Sequence, residues 1–319
     1  MTRLVAIPTS NWSRPKERLA RCSDGCVGLK INSGHSDADP MSLTWSFSPT
    51  LSPSDRLDVL ALFNHLDEQL QREAIDENIR RKVIHGVDAD HWLQRAENRI
   101  VGYAQSWAGR EPSVEIAGGR TDEHLVSLLK QHYESRSVLH WTRDGVVVPG
   151  TTIVRELLLL EIFLPSTTHQ LPEGFEVREF ERGKDEERWL RQNNRSFAHH
   201  PEQGQWDEMT LAQRTSEPWF DPSGFFLIER DSKIVASCWT KIHELSRERL
   251  GEIYVISVDP DSQGLGLGLA ALNLGLDSIR RRGVQRAQLF VDADNISAVR
   301  MYEKRGFVRL RTDYLLQFR

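Results

Sequence analysis

Residues 253–268 read Ile253-Tyr254-Val255-Ile256-Ser257-Val258-Asp259-Pro260-Asp261-Ser262-Gln263-Gly264-Leu265-Gly266-Leu267-Gly268. The first six form an apolar, β-branched run closed by Asp-Pro, which reads as a buried strand stopping at a turn. Behind the glycines, Leu265, Leu269, Leu272, Leu276 and Ile279 recur at steps of four and three, predicting a helix over 265–282 with one buried face. Arg280-Arg281-Arg282 and Gly283 place cations and a flexible residue at its end. A glycine-rich turn at a helix start leaves backbone N–H groups uncovered, and with the helix dipole they form a cradle for a pyrophosphate. A tight turn alone gives the same G-x-G spacing, so context decides. A Rossmann fingerprint sits on the first strand of its βαβ unit. This loop follows four or more β segments of its half, which argues against that fold.

Outward from this stretch, the chain reads twice through a similar order of elements. In the first half the patterns predict a strand at 42–48, helices from Ser52 and over 77–86, and strands at 91–96, 99–107 and 113–117. A helix at 122–134, a strand at 136–142 and a β segment near 152–163 follow. Ser52-Pro53-Ser54-Asp55 is a helix start, and Val59, Leu62, Phe63, Leu66 and Leu70 share one stripe. In the second half come a strand at 175–180, helices at 185–194 and 208–217, and a hairpin of 224–230 with 234–243. A strand at 251–259, the helix 265–282, a strand at 287–291, a helix at 295–305 and closing strands in 308–318 complete it. The expected class is α/β, a mixed sheet with a parallel step where a helix crosses between strands. Residues 164–174 are the natural linker. Residues 1–40 lack periodicity and carry no secretory apolar core, so they are expected to be a flexible or misannotated tail before a fold starting near Met41.

A length of 319 residues fits two domains, and 39% hydrophobic with 27% charged residues excludes wholesale disorder. A net charge of -5 argues against a nucleic-acid partner, whose phosphates need a basic surface. The apolar run around 157–164 is broken by Glu161 and falls far short of the ~20 residues of a bilayer span, so no membrane association is expected. Three cysteines are too few for a disulfide framework, and Cys22 and Cys26 have no His pair at zinc spacing. Reduced thiols in a cytoplasmic protein without a metal are expected.

Gln263 to Gly268, its flanking strand and helix, and Asn295-x-x-Ala298-x-x-x-Tyr302-x-x-x-Gly306-Phe307 together resemble the GNAT acetyltransferase superfamily. Asn193-Asn194-Arg195-Ser196-Phe197-Ala198-His199-His200-Pro201-Glu202-Gln203-Gly204, Trp219-Phe220-Asp221-Pro222, Trp239-Thr240-Lys241 and Gly251-Glu252-Ile253-Tyr254 further resemble the mycothiol synthase family. The resemblance covers nearly all of the second half. In the first it is faint, chiefly Val154-Arg155-Glu156-Leu157-Leu158. It implies two tandem GNAT-type domains, each a mixed, centrally splayed β-sheet flanked by helices, with 175–319 catalytic. It also implies acetyl-CoA as cosubstrate and acetyl transfer to the cysteinyl amine of cysteinyl-glucosaminyl-inositol, by a chain expected to be a monomer.

By this resemblance the strand edge at Ile256, Ser257 and Val258 would bind the pantetheine arm through its backbone. Gln263, Gly264, Leu265, Gly266, Leu267, Gly268 and Leu269 would hold the pyrophosphate. Asn295, Ile296, Ser297, Ala298, Val299 and Arg300 would complete the coenzyme site, with Asn295 also capping its helix. An amine attacking a thioester must be neutral, so a carboxylate base is required. Glu252 matches that position, and Tyr302 matches a hydroxyl that would protonate the leaving thiolate. Glu202 and Lys241 match contacts to the sugar-inositol acceptor. The His199-His200 pair reads as a local turn held by imidazole hydrogen bonds.

Two departures carry expectations of their own. Phe290 stands where the family carries a substrate-contacting tyrosine. In the first half, Ser113-Val114-Glu115-Ile116 runs into Ala117-Gly118-Gly119-Arg120-Thr121-Asp122, with no Q-x-x-G-x-G, and 145–150 reads as strand or loop where a helix belongs. Residues 41–163 are therefore expected to be a degenerate domain without an acetyl-CoA loop, acting as scaffold and substrate wall, with Glu77 as its candidate substrate contact. The rival functions are acetylation of another amine and a non-catalytic CoA-binding module. Retention of both Glu252 and Tyr302 argues against the latter.

Overall fold

The computed structural model describes residues 43–70, 73–109, 111–119, 123–143, 145–164, 171–198, 200, 204–245 and 248–319. The expected tail, the Cys22/Cys26 pair, His199, Glu202 and most of the linker lie outside these residues. The first half comprises β1 (Trp45–Ser48), α1 (Pro53–Leu70), α2 (Glu77–His85), β2 (Asp90–Ala96), β3 (Arg99–Trp107), β4 (Ser113–Gly118), α3 (Glu123–His132), β5 (Val138–Thr142) and β6 (Thr152–Phe163). The second comprises β7 (Glu176–Glu179), α4 (Glu186–Ser196), α5 (Glu208–Thr215), β8 (Phe225–Arg230), β9 (Lys233–Glu244), β10 (Arg249–Val258), α6 (Leu267–Arg281), β11 (Arg286–Asp292), α7 (Ile296–Arg305) and β12 (Val308–Phe318). Each predicted element appears within a few residues of its expected bounds, except that 308–318 is one strand. No helix forms among the described residues between β5 and β6.

The strands form one sheet in the order β1-β2-β3-β4-β5-β12-β6-β11-β10-β9-β8-β7. The closing strands are exchanged: β6 of the first half lies against β11 of the second, and β12 of the second lies against β5 of the first. β6 and β12 also pair with each other, antiparallel, so backbone hydrogen bonds run unbroken from one half into the other. The exchange reaches the core. Leu158, Leu160 and Ile162 of β6 are buried among Leu267, Leu274 and Ile279 of α6 and Leu289 of β11. Each such side chain contributes roughly 1.5–3 kcal/mol by leaving water.

Each half contains one parallel step. β4 and β5 pair only at 113–115 with 139–141, and β10 and β11 only at Gly251↔Ala287 and Glu252↔Gln288. Beyond Glu252 the two strands part. A bulge between Ile253 and Val255 in the β9–β10 ladder sits at the same point, where an unpaired residue bends the strand. The sheet therefore opens into a wedge, with the edge of 253–258 that faces β11 lacking a strand partner. Helix α6 packs closely behind this wedge. A Cβ on Gly275 would lie 2.5 Å from Cys238 Sγ, so glycine there sets the helix-to-sheet distance.

Candidate active site

A cavity of about 640 Å³ fills the wedge. Its floor is the β10 run from Ile253 to Val258, its far wall is Leu289, Phe290, Val291 and Asp292 of β11, and its mouth is the loop entering α6. Gly264 and Gly266 in that loop have φ of +79°, a backbone state that disfavours any other residue. A Cβ on either would meet nothing within 4 Å, so the space over the loop is open. Gly266 is the N-cap of α6 and offers no side chain to its first N–H groups. These exposed donors, the positive end of a 15-residue helix and open space above them are what a diphosphate requires. The acyl-donor site expected from the sequence thus fits the residues present.

The wedge gathers most of the expected coenzyme residues. Ile256, Ser257, Val258, Gln263, Gly264, Gly266, Leu267, Gly268, Leu269, Asn295, Ser297 and Ala298 line it. The Ser257 side chain is committed beneath the strand to Ser237 Oγ (2.9 Å) and Gln192 Oε1 (3.0 Å), which leaves the backbone to face the wedge. Leu265, Ile296 and Arg300 are exposed and outside the cavity wall, while Val299 packs on the core. Asn295 caps α7 as expected, its Oδ1 accepting from Ala298 N at 3.3 Å. His200 meets Arg155 of the exchanged strand β6 at 3.1 Å and Asp292 at 3.5 Å, a cluster at the wall of the wedge.

Glu252 lies at the closed end of the wedge, one residue before the stretch of β10 that lines the cavity. It is the last residue of β10 paired with β11, and it faces Lys241 directly across the β9–β10 ladder. His243 Nε2 donates to its Oε2 at 2.8 Å and Gln288 Nε2 to the same oxygen at 2.9 Å. Both donors converge on Oε2, so Oε1 has no hydrogen-bond donor among the described residues. Burial alone would raise the Glu252 carboxyl, but His243, Lys241 and Gln288 outweigh it and hold the group below the usual carboxylate range. Burial likewise disfavours a charged His243, yet its bonds to Glu252 and Glu73 lift the imidazole to about 9.

Lys241 is buried, with Nζ 3.1 Å from Glu73 and 3.4 Å from Glu77, and it lies over the rings of Trp219 (5.0 Å) and Tyr254 (6.0 Å). Burial opposes its charge, but Glu73, Glu77 and Glu252 outweigh this and keep it above its ordinary value. Glu77, at the start of α2, also accepts from Trp219 Nε1 (2.5 Å) and pairs with Arg214 (3.3 Å). The first half thus delivers two carboxylates to the second half's β9 face. Tyr302 lines the cavity from α7 with its ring on Phe307. Its hydroxyl has no hydrogen-bond partner among the described residues, and burial pushes its ionisation far up, so the group stays protonated. Phe290 is half-buried in the β11 wall.

Sequence reasoning missed Glu73, His243 and Gln288. His243 carried a readable signal: it stands two residues after Lys241 on a strand and so shares its face. Gln288 could be placed only once the short β10–β11 register was known. Glu73 carried no local signal, because its role arises from the approach of α1 and α2 to the other half.

Residues 172–307 match the Acetyltransferase (GNAT) family model. The chain is 35% identical to the mycothiol acetyltransferase of Geodermatophilus obscurus, over 84% of this chain and 97% of that one. It is 47% identical to the Thermomonospora curvata mycothiol acetyltransferase, over 70% and 81%. Among solved structures, a GCN5-related N-acetyltransferase from Sphaerobacter thermophilus matches with a TM-score of 0.63 at 22% identity, over 86% of this chain and 95% of that one. A tandem GNAT protein from the clavulanic acid biosynthesis pathway matches with a TM-score of 0.58 at 13% identity, over 86% and 97%. These two likenesses bear on the fold, which is that of tandem GNAT domains. With its splayed sheet, open glycine loop and matches along most of its length, the chain belongs to the mycothiol acetyltransferase family of GNAT acetyl-CoA-dependent acyltransferases.

Proposed function

We propose that the protein transfers the acetyl group of acetyl-CoA to the cysteinyl amine of cysteinyl-glucosaminyl-inositol, giving mycothiol and CoA. The observation that carries this reading is a carboxylate with one uncommitted oxygen, Glu252, at the closed end of a wedge whose mouth is a diphosphate cradle. Acetyl-CoA supplies the activated thioester. The open edge of β10 binds the pantetheine arm in place of the missing strand, and the loop from Gln263 to Gly268 binds the diphosphate, with Asn295, Ser297 and Ala298 bordering it. Glu252 Oε1 takes the proton of the acceptor ammonium, directly or through water, so that a neutral amine attacks. Tyr302, kept protonated by burial, donates to the departing thiolate.

Glu77 and Lys241, paired with each other at the β9 face beside Glu252, are the acceptor contacts this reading assigns. Phe290, in the far wall of the wedge, is a further candidate contact that offers no hydroxyl, and Glu202, outside the described residues, is carried over from the family resemblance alone. Residues 41–163 act as scaffold and acceptor wall without an acyl donor of their own, and 175–319 hold the chemistry. Gly118 and Gly119 support this division: both have positive φ, but a Cβ there would meet Val101 O or Gln94 Oε1 within 2.9 Å, so the space over these glycines is filled. Glu115, at the end of the β4–β5 pairing, is tied to Arg143 Nε (2.8 Å) and Asp76 N (2.7 Å), a structural use of that position.

The test is a steady-state assay of acetyl transfer to cysteinyl-glucosaminyl-inositol beside an aminoglycoside, a polyamine and a peptide amino terminus. The expected result is a kcat/KM for the first acceptor at least about a hundredfold above the others, a gap of roughly 2.7 kcal/mol in transition-state binding. Equal or better use of another amine overturns the assignment of acceptor. Absence of transfer to every amine, with acetyl-CoA bound, points to the binding-module alternative.

A further inference from the structure

His243 lies between two carboxylates that come from different halves of the chain. Its Nε2 is 2.8 Å from Glu252 Oε2, and its Nδ1 is 3.3 Å from Oε1 of Glu73, in the connection between α1 and α2. A neutral imidazole has a single N–H and serves one carboxylate. Only an imidazolium donates to both. Lys241 Nζ approaches the same Glu73 oxygen at 3.1 Å, so that one oxygen holds two cations in place.

We propose that Glu73 is a positioning residue for the reaction: its carboxylate, paired with the Nδ1 side of His243, keeps the ring doubly protonated and pins its Nε2–H on Glu252 Oε2, which leaves Oε1 for the acceptor amine. The inference rests on the reading of Glu252 as the base. It gives the first half a part in the acid–base chemistry, through a side chain on a connection rather than through a second acyl-donor site.

The charged groups facing His243 are Glu252 from β10, Glu73 from the α1–α2 connection and Lys241 from its own strand. Gln288 of β11 and Glu77 of α2 reach it through Glu252 and Lys241. The ring's raised ionisation has a defined sign. The imidazolium is present below about 9 and is lost as pH rises through that value, when one carboxylate loses its donor. Glu73→Gln keeps an acceptor oxygen and the side-chain shape but removes one of the two negative charges. The imidazole then titrates lower.

The test follows the His243 ring resonances by NMR in the substrate-free protein across neutral and alkaline pH, assigned with His243→Gln, beside pH profiles of kcat. In Glu73→Gln the ring is expected to titrate lower by about one pH unit or more, and the alkaline limb of kcat to move the same way. The KM for acetyl-CoA stays within about twofold, because the wedge is untouched. Glu73→Asp, which retains the charge, lies between wild type and Glu73→Gln. An unshifted ring, or a shifted ring with an unmoved kcat limb, overturns the proposal. If instead Glu252→Gln keeps full turnover, Glu252 is not the base, and the ring titration still reports independently whether Glu73 holds the proton on His243.

Discussion

Replacing Glu252 by glutamine separates chemistry from binding. The two donors to this side chain both meet Oε2, so the amide oxygen of glutamine can occupy that position and keep His243 and Gln288 in place. The amide NH2 then stands where Oε1 was and cannot accept a proton. General-base catalysis is worth about 10²–10⁴ in rate, which corresponds to about 3–5 kcal/mol of barrier. A fall of that size in kcat is expected near neutral pH. Acetyl-CoA affinity, measured by calorimetry, should be unchanged, since the substitution keeps the side-chain shape and alters neither the glycine loop nor the backbone edge of β10. The defect should also shrink as pH rises past the acceptor's own ionisation, near 8 for an α-amine, because the amine then arrives neutral. A drop smaller than about tenfold, or a parallel loss of acetyl-CoA binding, would refute the separation of roles.

Gly266→Val places a β-branched side chain at φ +79°, at a cost of more than about 1–2 kcal/mol, and fills the space over the loop. Acetyl-CoA binding by calorimetry should weaken by about a hundredfold or more while the thermal midpoint changes little by comparison. Tyr302→Phe removes a hydroxyl with no hydrogen-bond partner among the described residues, so thermal stability should hold while turnover falls on the order of a hundredfold; an unaltered kcat would dismiss the residue as acid. Leu160→Ala should cost about 2–5 kcal/mol in urea unfolding and displace a single cooperative transition, because this first-half residue is buried in the second half's core. Two separate transitions, with only one displaced, would show that the exchange does not couple the halves.

How much of this was legible in the sequence depended on distance along the chain. The strand, loop and helix around Gln263 to Gly268 were readable because a glycine turn, its strand and its helix are neighbours in sequence, and their physics is local. The same holds for the Asn295 cap and the hairpin at 231–233. The exchange of β6 and β12 was not readable. The apolar run at 157–160 marks a buried strand, but periodicity names the burial of a strand and not its neighbour. Lys241 was found as a charged residue on the active strand, and its neutralisation by Glu73 and Glu77 was invisible because those carboxylates arrive from 164 or more residues away. The wedge itself depends on a ladder that stops after two residue pairs, a length that no residue in it announces.

The exchanged strands also set an order of events during synthesis. Among the described strands β12 is translated after the others, yet its place lies between β5 and β6, which leave the ribosome more than a hundred residues earlier. Until it arrives, those two strands have unfilled backbone donors and acceptors along facing edges, and such edges recruit other chains. The nascent polypeptide therefore waits with a gap in the middle of its sheet, and the eleven residues of β12 close both halves at once.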